Sequence, residues 1–143
     1  MPERGRLLVV EANADDVELM LAALAECGLG QRVDVVRDGE EALEYLQCRD
    51  RYAGALHQMP AAVVLDLKLP KRGGLDVLAI VRADARLRHL PVVILTASRE
   101  MDDLQRSYVA GANAYVVKPI TYATYVAAMQ DIGRFWLVRN EPA

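Results

Sequence analysis

Short, strongly apolar runs recur five times along the chain, and this repetition limits the fold more than any other feature of the sequence. Four of the runs are rich in β-branched residues and almost continuous, which is typical of strands buried on both faces of a parallel sheet. The runs are residues 7–10, 33–36, 61–67, 91–97 and 114–119. We therefore predict a parallel five-stranded sheet covered by helices on both sides.

Helical patterns separate these apolar runs. Asn13 can cap a first helix whose apolar positions recur at three- and four-residue spacing before Gly28. Asp38 followed by Glu41 resembles a capping box at the start of a second helix. Three further helices are predicted downstream, the longest over 121–138. The alternation predicts an α/β, doubly wound (βα)5 fold, because right-handed crossovers place helices on both faces of the sheet.

Length and composition narrow the class of protein. The chain has 143 residues, 53% of them hydrophobic, and no apolar run approaches the roughly 20 residues that cross a bilayer. Two cysteines are too few for a disulfide framework, and the N-terminus lacks the pattern of a secretion signal. A formal net charge of −3 gives no general attraction for nucleic acid. We expect a soluble cytoplasmic protein with no nucleic-acid or membrane partner.

Polar residues of complementary chemistry stand where four of the predicted strands end. In strand order one, three, four and five they are Glu11, Asp66, Thr96 and Lys118. The carboxyl ends of the strands form the ligand site of a doubly wound sheet. Neighbouring carboxylates favour a proton or a hard cation such as Mg²⁺, and an aspartate can accept a phosphoryl group. An ammonium and a hydroxyl would suit the oxygens of that group.

The segments VVLDLKLPKRGGLDVL, VVILTAS and AYVVKP together resemble the receiver domain of two-component response regulators. The resemblance covers roughly residues 6–133 and implies a sheet in the flavodoxin-like order 2-1-3-4-5. By position, it implies that Asp66 is phosphorylated by a histidine kinase, that Thr96 senses the phosphate and that Lys118 pairs with it. The protein would then be no enzyme in the usual sense, beyond removing its own phosphoryl group.

The same resemblance implies roles for three further positions. Tyr115 matches the family's switch aromatic, which turns inward as Thr96 moves toward the phosphate. The backbone carbonyl of Lys68 matches a main-chain ligand of the metal ion. A cis peptide bond is expected before Pro119, as in relatives.

One position departs from the family pattern. Two adjacent acids usually follow the first strand, and the second commonly contacts Mg²⁺, but here the pair reads Glu11 and Ala12. Either Glu11 reaches the metal, or Asp15 from the first helix substitutes, although Asp15 and Asp16 also suit a helix N-terminus electrostatically. A further hypothesis is that the Lys68 ammonium partly replaces the cation.

Two functions remain open at this point. The first is a phosphorylated switch that signals through Thr96, Tyr115 and the surface of the fourth helix, fifth strand and fifth helix. The second is a pseudo-receiver that binds proteins without metal-dependent chemistry. Details such as VEANADDVELM and DGEEALEYL resemble the stand-alone regulators of bacterial and cyanobacterial phytochromes, which implies a bacteriophytochrome as the kinase.

The C-terminal segment suggests an interface. We predict a receiver domain over 1–133 and an arm over 134–143, with no output domain. Phe135, Trp136 and Leu137 are consecutive and cannot all face one core, so at least one should be exposed unless a partner covers it. We therefore predict a homodimer through the fifth helix and this arm, which the resemblance also implies.

Overall fold

The computed structural model describes residues 5–55 and 59–142, and five parallel strands alternate with five helices along them. The strands are β1 (Leu7–Val10), β2 (Val33–Val36), β3 (Ala62–Leu65), β4 (Val92–Thr96) and β5 (Ala114–Val117). The helices are α1 (Ala14–Glu26), α2 (Gly39–Gln47), α3 (Gly74–Ala83), α4 (Met101–Val109) and α5 (Tyr122–Arg134). The sheet order is β2-β1-β3-β4-β5, which confirms the predicted fold and strand order.

The strands are shorter than the apolar runs that predicted them. β3 ends at Leu65 and β5 at Val117, so Asp66 and Lys118 are the first residues beyond their strands. The hydrogen-bond pattern nevertheless continues past β1, because the Glu11 N–H donates to the Val36 carbonyl over 3.1 Å. The hydrogen bonds of the sheet therefore fix the backbone from which the strand-end side chains project.

Alternating strand residues supply two separate cores. On one face of the sheet, Leu8, Val10 and their neighbours pack against α2 and α3. On the other, Leu7 and Val9 pack against Met20 and Leu24 of α1 and Met129 of α5. All four β1 residues are at most 1% exposed, as expected of a strand covered on both faces.

The predicted helix caps are present. The Asn13 side chain accepts a hydrogen bond from the Asp16 N–H over 3.0 Å, and Asp38 accepts one from the Glu41 N–H over 2.7 Å. These bonds satisfy backbone donors that the first turn of a helix leaves without partners. α5 ends earlier than predicted, at Arg134, and the chain continues as a π-helical turn over Phe135–Arg139.

The connections between the elements include one departure from expectation. The described residues contain no cis peptide bond, so the cis bond expected before Pro119 is not found. Between α2 and β3 the chain forms a single 3₁₀ turn, Asp50–Tyr52, and residues 56–58 of this connection lie outside the described part. No helix within 5–55 or 59–142 is long and apolar enough to cross a membrane.

Candidate phosphoacceptor site

The Lys118 ammonium lies at the centre of the site and contacts three carboxylates. Its Nζ is 2.8 Å from Glu11 Oε1, 2.8 Å from Asp16 Oδ2 and 2.9 Å from Asp66 Oδ2. An ammonium has three N–H donors, so each can face one carboxylate. The carboxyl edge of the sheet and the start of α1 thus bring Lys118 to acids that are 52 or more positions away in sequence, since Asp66, the nearest of the three along the chain, is separated from it by 52.

For both Lys118 and Glu11, burial and the contact between the two side chains shift the pKa in opposite directions. Burial lowers the pKa of Lys118, but its bonds to Asp16, Glu11 and Asp66 outweigh that effect and raise the pKa above its ordinary value. Burial raises the pKa of Glu11, which is 2% exposed, more strongly than the nearby Lys118 ammonium lowers it. One ammonium thus faces three carboxylates, which leaves the pocket with excess negative charge.

Two hydrogen bonds to backbone groups hold Asp66 just beyond the end of β3. Its N–H donates to the Val10 carbonyl over 3.2 Å, and its Oδ1 accepts from the Lys68 N–H over 3.3 Å. Gly74, at the start of α3, packs directly beneath it, because a Cβ there would lie 2.3 Å from the Asp66 carbonyl oxygen. Asp66, the candidate phosphoacceptor, is 7% exposed, and these contacts fix its position.

Thr96 and Tyr115 both form hydrogen bonds to Ser98, in the loop that follows β4. Thr96 is 1% exposed and its Oγ1 accepts from the Ser98 N–H over 3.4 Å. The half-buried Tyr115 donates its hydroxyl hydrogen to the Ser98 carbonyl over 3.0 Å, and the Ser98 hydroxyl donates to Asp103 of α4 over 2.5 Å. Thr96, Tyr115 and α4 are thereby connected through one short loop.

The remaining residues considered from sequence take the following places. Asp15 is exposed at the start of α1 and is not among the acids that contact Lys118; the acid of α1 that enters the pocket is Asp16. Lys68 is also exposed, and the ammonium that neutralises the carboxylates belongs to Lys118. Leu137 is buried within its own chain at 4% exposure, whereas Phe135 is 48% exposed. Trp136 is partly buried against the α1 and α5 core.

Sequence reasoning missed Asp16, Arg37 and Tyr125. Arg37 follows β2 and donates from Nε to the Glu11 carbonyl over 3.0 Å and from Nη2 to the Ala12 carbonyl over 2.8 Å. The signal for Asp16 was its position four residues before Met20, which places both on one helix face. Arg37 was visible only as a cation at a strand end, and Tyr125 gave no signal distinct from a core aromatic.

The metal expected from the family resemblance does not fit the side chains as arranged. Glu11, Asp66 and the Lys68 carbonyl are oxygen donors of the kind that Mg²⁺ prefers. However, the carboxylates surround Lys118, Ala12 supplies no oxygen from its side chain, and the described residues contain no group of three acidic, histidine or cysteine side chains placed to hold a metal. The carboxylates of this pocket are therefore arranged around the Lys118 ammonium and not around a metal ion.

Comparison with known proteins agrees with this geometry. The family model of the response regulator receiver domain matches residues 7–130. The bacteriophytochrome response regulator AtBRR is 51% identical, with a TM-score of 0.77 and coverage of 98% of this chain and 100% of that one. The phosphorylated cyanobacterial phytochrome response regulator RcpA is 36% identical, with a TM-score of 0.89 over 96% of this chain and 97% of that one.

A further relative has been solved with a metal ion. Response regulator Rcp1 of Synechocystis is 33% identical over 92% of this chain and 88% of its own length. The Mn²⁺-bound structure of an Rcp1 superposes with a TM-score of 0.89 at 31% identity, over 97% of this chain and 99% of that one. With five parallel strands, the acidic pocket and these matches in agreement, the chain belongs to the response regulator receiver domain family of two-component signalling, and its solved neighbours include phytochrome response regulators.

Proposed function

We propose that this protein is a response regulator whose receiver domain accepts a phosphoryl group on Asp66 from a histidine kinase. The observation that carries the proposal is the contact of the Lys118 ammonium with Asp66 over 2.9 Å, at the sheet edge where the Lys118 N–H also donates to the carbonyl of the buried Thr96 over 2.7 Å. A carboxylate held in place next to a cation and a hydroxyl has the groups needed to attack phosphorus and to stabilise the product. The protein would act in signalling through its own aspartate and not as an enzyme on a separate substrate.

The proposed transfer is a single exchange of bonds. An oxygen of the Asp66 carboxylate forms a P–O bond as the P–N bond to the kinase histidine breaks, and the electron pair of that bond returns to the imidazole nitrogen. Lys118 then pairs with the new phosphoryl oxygens, and the Thr96 hydroxyl can donate its hydrogen to another. Because the Tyr115 hydroxyl is bonded to the same loop as Thr96, movement of Thr96 would change the surface formed by α4, β5 and α5.

Incubation with acetyl phosphate and Mg²⁺, read by intact mass, tests the proposal. We expect the addition of one phosphoryl group to the native chain and none to Asp66→Asn. Asp15→Asn is the matched control, because Asp15 is exposed and does not contact Lys118, so this variant should be phosphorylated normally. Equal labelling of native protein and Asp66→Asn would contradict the assignment of Asp66.

A specific observation supports a second candidate, the pseudo-receiver. Lys118 already neutralises Glu11 and Asp66, and the side chain of Ala12 lacks the acid that would contact a metal. A receiver whose carboxylates are neutralised in this way would bind partners in a single conformation, without phosphorylation. Absence of any phosphoryl addition to the native chain, with retained folding, would favour this function.

The kinase partner is proposed to be a bacteriophytochrome, and the support is the likeness to AtBRR and RcpA. The test is phosphotransfer from a purified bacteriophytochrome histidine kinase, compared with an unrelated histidine kinase at equal concentration. Transfer at least tenfold faster from the phytochrome would support the pairing. Equal rates from both kinases would contradict it.

We further propose that residues 134–143 form an arm that pairs two copies of the chain through α5. Phe135 and Val138 are 48% and 59% exposed, whereas Leu137 is buried and held by a bond from Arg32 to its carbonyl over 3.0 Å. The apolar area available to a second copy is therefore Phe135 with Val138. Sedimentation should show a weaker dimer for Phe135→Asp with Val138→Asp, while Met101→Asp, also at an exposed apolar residue, leaves it unchanged.

A further inference from the structure

Tyr125, in the first turn of α5, has a hydroxyl group that the proposed phosphoryl chemistry does not use. The residue is 5% exposed, and its hydroxyl oxygen is fully buried with no hydrogen-bond partner among the described residues. Burying a hydroxyl without a partner is unfavourable because its bonds to water are lost. A phenylalanine would fill the same space without this cost, so the hydroxyl calls for an explanation.

Tyr125 belongs to the core that lies along the inner face of α1, the helix that carries Asp16. Tyr125 packs in the core between α1 and α5 together with Met20, one helical turn beyond Asp16. Burial raises the pKa of the Tyr125 hydroxyl, and the Asp16 carboxylate is the charged group that raises it most. Asp16, which links α1 to Lys118, and the core that holds this buried O–H donor therefore lie along one face of α1, because residues four apart share a helix face.

Phosphorylation would change the number of acceptors around Lys118. The ammonium has three donors, and Glu11, Asp16 and Asp66 face them in this structure. Phosphorylation turns the Asp66 carboxylate into an acyl phosphate, so a charge of about −1 is replaced by about −2 spread over three phosphoryl oxygens. The Lys118 donor that faced Asp66 can turn to one of these oxygens, and the added charge favours a second contact, for which Lys118 must release a carboxylate. Asp16 is the more exposed of the other two, at 25% for its side chain against 3% for Glu11.

We propose that Tyr125 is a positioning residue whose hydroxyl donates to the Asp16 carboxylate when Lys118 leaves it for the phosphorylated Asp66. The exchange keeps Asp16 paired and prevents it from competing with the phosphoryl group for the ammonium. This role rests on the proposed phosphorylation of Asp66, but the hydroxyl and Asp16 can be tested without it.

The first test replaces Lys118 and Asp66 together. Asp66→Asn with Lys118→Met removes one negative and one positive charge, so the pocket keeps its formal charge while Asp16 loses its ammonium and phosphorylation becomes impossible. In this background Tyr125→Phe should lower the thermal unfolding midpoint by about 3 to 5 °C, because it removes the donor that now serves Asp16. In the native background the same change should leave the midpoint equal or higher. An equal shift in both backgrounds would overturn the proposal and leave Tyr125 a packing residue.

The second test uses phosphorylated protein. At fixed acetyl phosphate, Tyr125→Phe should reduce the steady-state ratio of phosphorylated to unphosphorylated chain about fivefold. In Asp16→Asn, which lacks the competing charge, the same change should have little effect. An equal effect in both backgrounds would also overturn the proposal. Failure of the native chain to accept phosphoryl at all would count against the proposed function, while the first test would still decide the role of Tyr125.

Discussion

Arg37 donates from Nη2 to the carbonyl of Ala12 over 2.8 Å, at the position where the family resemblance led us to expect a second acid. Its Nε also binds the carbonyl of Glu11 over 3.0 Å. A cation from the end of β2 therefore holds the backbone of the loop that carries Glu11, although the side chain of Ala12 contributes nothing to the pocket. The loop is thus ordered by main-chain bonds that do not depend on the missing acid.

Arg37→Met should weaken both the fold and the site. The change keeps much of the apolar stem but removes two bonds to backbone carbonyls, one of them exposed to solvent, so we expect a loss of about 1 kcal/mol in the free energy of unfolding. Phosphorylation by acetyl phosphate should also slow, because Glu11 is no longer held. Denaturant unfolding and intact mass measure the two effects. Arg88→Met, at an exposed arginine, should change neither, and equal losses in the two variants would refute the role of Arg37.

Ala12→Asp should create a better site for Mg²⁺. The loop backbone is already held by Arg37, so the added carboxylate supplies a hard oxygen donor without a new loop conformation. We expect Mg²⁺ affinity, measured by calorimetry, to rise about tenfold or more. Asn13→Asp adds the same charge at the neighbouring exposed cap and is the control. An equal gain in both variants would mean that only general electrostatics had changed.

Glu11→Gln should alter how stability depends on pH. Burial raises the pKa of Glu11 above its ordinary value of 4.5, so the folded protein binds this proton more tightly than the unfolded chain does. The free energy of unfolding of the native protein therefore falls as the pH rises from about 4.5 through the raised pKa of Glu11. Because the variant lacks this titration, its melting temperature relative to native protein should increase over that range. Glu18→Gln, at an exposed acid of α1, should show no such trend, and a flat difference for Glu11→Gln would contradict the prediction.

Gly74→Ala should displace Asp66. The new Cβ would lie 2.3 Å from the Asp66 carbonyl oxygen and 2.8 Å from the Leu67 Cα, so the backbone must move. We expect a loss of about 2 to 3 kcal/mol in unfolding free energy and slower phosphorylation. Gly73→Ala is the matched control, since its nearest atom would be 3.8 Å away and its effect should be about 0.5 to 1 kcal/mol, the cost of a poorer helix cap. Similar losses in both variants would show that helix capping, and not close packing, explains the result.

Local patterns in the sequence were sufficient for the fold. The continuous β-branched runs, the caps at Asn13 and Asp38 and the strict alternation of strands and helices predicted the sheet with helices on both faces. The same patterns located Asp66, Thr96 and Lys118, because parallel strands bring all their carboxyl ends to one edge. These features depend on neighbours in sequence and on general rules of chain connection.

Only the tertiary structure decided which other groups meet Lys118. Consecutive helical residues point about 100° apart, so the choice of Asp16 over Asp15 depends on the rotation of α1, which Met20 and Leu24 set by packing on the sheet. Arg37 reaches the Ala12 carbonyl because β2 lies beside β1. Among the described residues the Tyr125 hydroxyl is buried without a partner because α5 packs against α1. Each contact joins distant parts of the chain, and its geometry exists only once both cores have formed.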